Sequence, residues 1–105
     1  MNKITQEIKD KWLEALKSGN YTQTNGRLKK DNSHCCLGVL AEVLGQTITK
    51  EGNETLQQDT CDVYDELYYN IRLVQLIDAN DDSYYNGVRD YSTVIPIIES
   101  IVIKN

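Results

Sequence analysis

The sequence predicts a single α+β domain with an N-terminal helix, short antiparallel β-hairpins and two or three further helices. Three observations predict it. Apolar residues recur every three to four positions over 4–16 and again over 62–79, the period of amphipathic helices. Between them lies a polar, alternating stretch with turn chemistry, as a hairpin requires. The length of 105 residues accommodates one domain whose core is shared by every element.

Ile4, Ile8, Trp12, Ala15 and Leu16 give the apolar stripe of a first helix over 5–18. Thr5 is placed to cap its start, and Gly19-Asn20 to end it. Residues 21–37 (YTQTNGRLKKDNSHCCL) are expected to form a hairpin. Tyr21, Gln23, Asn25 and Arg27 would share one face, Asp31-Asn32-Ser33 would supply the turn, and the return strand would begin near His34. Asn25-Gly26 is the alternative turn, or a bulge. The apolar run 37–44, closed by Gly45, suits a short buried helix, and 47–50 with 55–58 suggest a second hairpin. Val63, Leu67, Ile71, Val74, Leu76 and Ile77 predict helix over about 63–70 and again over 72–79. Residues 80–90, polar and tyrosine-rich, are expected to be a loop. A last helix is expected over 92–103, starting just before Pro96 or kinked by it.

The formal net charge of −5 conceals an uneven distribution. Residues 1–50 hold eight Lys/Arg against five Asp/Glu, and residues 51–105 hold three against eleven. Such a chain is a poor binder of nucleic acid, which needs many phosphate-neutralising cations, and its acidic half suits a basic partner or simple solubility. Cys35, Cys36 and Cys61 are an odd number with two adjacent, which argues against a disulfide framework and for a reducing compartment. The N-terminal segment lacks the apolar run of a signal peptide, and no stretch approaches the ~20 apolar residues of a membrane span, so a cytoplasmic protein is expected.

Three segments are familiar in combination. Trp12 to Tyr21 (WLEALKSGNY) leads into Gln23, Gly26 and Leu28, and is followed by Cys35-Cys36-Leu37-Gly38-Val39-Leu40. Asn80-Asp81 and an apolar segment ending in Ile98-Glu99 come later. The chain resembles a family of small, mostly uncharacterised bacteriophage and prophage proteins with the pattern WxxALxSGxYxQxxGxL, then CCLGVL, then an Asn-Asp loop. The resemblance implies a phage or prophage gene acting in the host cytoplasm, and small proteins of that kind often antagonise bacterial defence.

The residues favour binding over catalysis. His34, Cys35 and Cys36 are consecutive and cannot easily aim three side chains at one metal, so core packing is their plain reading. Residues 78–87 (DANDDSYYNG) begin like a calcium loop, with Asp78, Asn80 and Asp82 at the first, third and fifth positions. Ser83 then replaces the turn glycine, and Arg89 replaces the closing glutamate. No phosphate-cradling loop or nucleophile elbow occurs, and no cofactor is expected.

What remains is a recognition surface. Tyr21, Gln23, Asn25 and Arg27 offer hydrogen-bonding groups and a cation suited to a base, sugar or phosphate, although a solvated strand face gives the same alternation. Asn80, Asp81, Tyr84 and Tyr85 would present polar groups and stacking rings from the loop. If both regions converge on one concave surface, the protein would capture a small, nucleotide-like host molecule, most easily between subunits of a homo-oligomer. The rival expectation is an acidic inhibitor that docks on a host nucleic-acid-handling or defence protein. A structural role in the virion is a third.

Overall fold

The computed structural model describes residues 4–25, 27–49, 55–69 and 72–103. In chain order these form α1 (Gln6–Lys17), β1 (Thr22–Gln23), β2 (Lys29–Lys30), β3 (Ser33–His34), α2 (Cys36–Val43), α3 (Gln58–Tyr69), α4 (Arg72–Tyr85) and α5 (Ile95–Glu99). The α+β class is the predicted one.

α1 begins where the sequence places it: the Ile8 N–H donates to the Thr5 hydroxyl oxygen at 3.1 Å, and Gly19 beyond its end has φ +79°. Its buried face centres on Trp12, whose ring N–H donates to the Cys36 carbonyl at 2.9 Å. That bond fixes α1 on α2 while the indole joins Leu16, Val39, Leu40, Val63, Leu67, Leu76, Tyr91, Val94 and Ile98 in the core. α2 is nearly all buried, as its uninterrupted apolar run requires. Its end is a Schellman motif, with Gln46 N–H bonded to Ala41 O and Gly45 N–H to Glu42 O, and Gly45 at φ +94°.

The sheet departs from the expected hairpin. β3 lies in the middle, antiparallel to β2 and parallel to β1. The tight turn is the predicted one, at Asp31-Asn32, with Asp31 at φ 55°. However, the ribbon it closes is β2–β3, and residues 21–25 do not form its first arm; Gly26, of the alternative turn, lies outside the described residues. Thr22 and Gln23 instead pair with Ser33 and His34 in parallel, held from outside the sheet by contacts to α4 and the segment after it.

Three further expectations are corrected. Residues 47–49 and 55–57 form no strand, and Lys50 lies outside the described residues. The Gln46 side chain clasps this stretch instead, donating to Thr55 O at 3.2 Å and accepting from Gln57 N at 3.0 Å. The loop expected at 80–90 is helical to Tyr85, because Asn80 and Ser83 continue the inward face begun by Leu76. The helix ends in a second Schellman motif, Val88 N–H to Ser83 O and Gly87 N–H to Tyr84 O. The last helix is only Ile95–Glu99, with Pro96 in its first turn; the Ser100 hydroxyl closes it by donating to Ile97 O at 2.6 Å. The chain beyond is tied to α1 by Lys9, whose ammonium donates to the carbonyls of Glu99 and Ile101.

Candidate functional site

The first β-strand and α4 do meet, but at a buried junction. Gln23 donates to the backbone carbonyl and side-chain oxygen of Asn80, at 3.2 and 3.1 Å, and accepts from Tyr91 N–H at 2.8 Å. Asn80 donates to Thr24 O at 2.7 Å and accepts from Cys36 N–H at 3.1 Å. Gln23, Asn80 and Tyr91 are each 2% exposed or less, so these two amides clamp β1, α2, α4 and the start of the C-terminal segment together. Tyr91, at φ 65°, also donates from its hydroxyl to His34 O at 2.6 Å. The convergence expected of Gln23 and Asn80 is therefore real, and it occurs inside the fold.

The other expected site residues scatter around that junction. Tyr21 is half-buried, edge-on to His34 with ring centroids 5.0 Å apart. It lines an open groove of about 430 Å³ with Lys11, Glu14, Ala15, Ser18 and Asn20. Asn25 and Asp81 are half-buried, and Arg27 is exposed beyond the end of β1. The Tyr84 ring lies 4.2 Å from the Arg89 guanidinium, and Tyr85 is 78% exposed. Tyr85 and Arg27 are thus available to a partner, whereas Gln23 and Asn80 are engaged with each other and with backbone groups.

The titratable interior gives little purchase for catalysis. His34 Nε2 meets a Glu42 carboxylate oxygen, and Nδ1 has no partner among the described residues, but the ring is 6% exposed. The Cys35 thiol caps α2, accepting from Gly38 N–H at 3.4 Å, and burial raises it and Cys36 above the ordinary thiol range. A thiol held protonated is a poor nucleophile and a poor ligand. Among the described residues no His/Cys/Asp/Glu group is arranged to hold a metal ion.

Burial also raises the hydroxyls of Tyr64, which donates to Leu37 O, and Tyr91 above the ordinary 10.0, with the nearby thiols of Cys35 and Cys36 adding to the effect. Their folded values exceed their unfolded ones, so the stability they contribute is complete below about pH 10 and lost as the pH climbs past it. Urea midpoints should accordingly fall between about pH 10 and 11.5, and a midpoint that stays level there would contradict this burial.

Much of the exposed apolar surface lies outside the expected site residues. Tyr68 and Tyr69 at the end of α3 are 59% and 81% exposed, and Val74 and Ile77 in the first turns of α4 are exposed too. Val74 and Ile77 belong to the apolar pattern that predicts a helix over 72–79. Yet the inward stripe of α4 is Leu73, Leu76, Asn80 and Ser83, and both residues lie off it. That offset was the available signal. Asp65 precedes these residues in sequence and Asp78, Asp81 and Asp82 follow them, with Arg72 between.

The features together define a small α+β domain with a polar-clamped interior and an acidic, tyrosine-bearing helical face. The chain belongs to the family described as Domain of unknown function (DUF8296), whose pattern matches residues 4–100. No curated protein and no solved structure matches it. Among the described residues, no helix is long and apolar enough to cross a membrane.

Proposed function

We propose that this is a phage-encoded accessory protein that works by docking its acidic α3–α4 face on a basic surface of a host protein in the host cytoplasm. The carrying observation is the exposure of Tyr68, Tyr69, Val74, Ile77 and Tyr85 on two consecutive helices rich in carboxylates. Water-exposed tyrosines are rigid amphipathic anchors, and surrounding carboxylates speed encounter with a basic partner. Phage origin rests on the resemblance of residues 12–40. The test is retention of host proteins by the tagged chain at low salt and their release at high salt. Asp81→Asn with Asp82→Asn should slow association several-fold at low ionic strength. Recovery of no host protein at low salt would count against the proposal.

A second reading, capture of a small nucleotide-like molecule, draws on the groove beside Tyr21, which combines a ring, the Lys11 ammonium and polar Ser18 and Asn20. Mass spectrometry of the desalted protein after incubation with nucleotide extracts tests it, and an empty protein would end it.

A further inference from the structure

The geometry points to a binding site for an alkylguanidinium, the head group of arginine, in the open groove along α1. The groove holds about 430 Å³ and is lined by Lys11, Glu14, Ala15, Ser18, Asn20 and Tyr21. The first four recur at three- and four-residue spacing, so one side of α1 and its end form the floor. Asn20 and Tyr21, from the segment after the helix, form the wall. The floor is lowest at Ala15, which carries only a methyl group between the longer Lys11 and Glu14 and the Tyr21 ring. The volume lies in the range of sites that hold one small ligand, about 300–1,000 Å³.

The groups left to meet a ligand decide its charge. Lys11 is answered by Glu7 at 2.9 Å, and Lys17 pairs with Glu99 at 3.5 Å. Ser18 is spent within the turn: its hydroxyl donates to Ala15 O at 2.6 Å and accepts from Asn20 N–H at 3.1 Å. Among the described residues, the Glu14 carboxylate and the Asn20 side-chain amide have no hydrogen-bond or ion-pair partner. Glu14 stands in the last turn of α1, where unpaired carbonyls leave partial negative charge. A phosphate is repelled by both, and a cation is attracted by both. The small-molecule reading above uses this same groove, but its charge balance favours a cation over the phosphate of a nucleotide.

Among cations, a guanidinium uses the most of these groups. Its planar fork gives a carboxylate two parallel N–H donors, its face stacks on an aromatic ring, and it keeps further N–H donors for an amide oxygen. Glu14, Tyr21 and Asn20 are partners of those three kinds, and the Ala15 methyl gives the aliphatic stem an apolar bed. A compact ammonium has neither fork nor stacking plane. Free arginine and an arginine side chain of a protein both carry this head group.

NMR titration of the full chain tests this with N-acetyl-arginine amide, its neutral isostere N-acetyl-citrulline amide, free arginine and adenosine monophosphate. Blocked arginine should shift Glu14, Asn20 and Tyr21 saturably at concentrations up to about 10 mM, the range open to one side chain in an open groove. Blocked citrulline should bind about ten-fold more weakly. Glu14→Gln should weaken blocked arginine by about ten-fold too. Its thermal melt should match the parent, because the Glu14 side chain is exposed. Tighter binding of free than of blocked arginine would assign the groove to the free compound, and the reverse order to a protein side chain; either order upholds the guanidinium site. Equal binding of arginine and citrulline would overturn it, as would the absence of shifts with every probe. Adenosine monophosphate bound in place of arginine would overturn it in favour of the nucleotide reading.

Discussion

Gly38→Ala is expected to prevent stable folding. An added Cβ would lie 1.9 Å from Leu28 O and 2.8 Å from Leu28 C, both backbone atoms that cannot rotate aside. Leu28 O already accepts from Cys35 N–H at 3.1 Å, so the first turn of α2 and the chain entering β2 are locked at that distance. Relief requires the two to separate, which would loosen the Trp12–Cys36 contact and the ribbon together. The cost should be about 4 kcal/mol or more, a large part of the stability of a domain this size. Gly45→Ala provides the internal comparison: nothing lies within 4 Å of its Cβ, and only the positive φ is strained. That change should cost about 1–2 kcal/mol. Urea denaturation followed by Trp12 fluorescence measures both, and equal midpoints for the two variants would contradict the close approach.

Asn80→Ala should cost about 3–5 kcal/mol, because it strips partners from three buried groups at once and each orphaned group costs about 1–3 kcal/mol. The groups are the Cys36 N–H, the Thr24 carbonyl and one of the two contacts of the Gln23 amide. The loss should appear as a lowered urea midpoint for the whole chain, since the clamp joins elements from both halves of the sequence. A variant that keeps its stability within about 1 kcal/mol yet loses a bound ligand would instead make Asn80 a recognition residue.

What could be read from the sequence follows from how local the determining contacts are. Thr5 as a cap, the Trp12 stripe, the Asp31-Asn32 turn and Gly45 as a helix stop act within a few residues, and each stands as expected. The parallel placement of β1 depends on bonds from Gln23 to Asn80 and Tyr91, 57 and 68 residues away, which leave no trace in residues 21–27. The same bonds hid the length of α4. Its inward face is continued by Asn80 and Ser83, polar residues that suggest a loop until their buried partners are known. On the candidate surface, Val74 and Ile77 contribute to the helical pattern, and the helix turns them outward. Residues Asn70 and Ile71, where the expected helix break falls, lie outside the described residues.

The central claim is that partners are met by the acidic α3–α4 face while the Gln23–Asn80 clamp only holds the fold. Residue-resolved NMR during titration of a basic Lys/Leu peptide tests this most directly. The account predicts shift changes concentrated in Asp65, Tyr68, Tyr69 and the α4 positions Val74 to Asp82, with Gln23 and Thr24 unmoved. Changes confined to the groove of Lys11, Ser18 and Tyr21, with α3 and α4 silent, would contradict it.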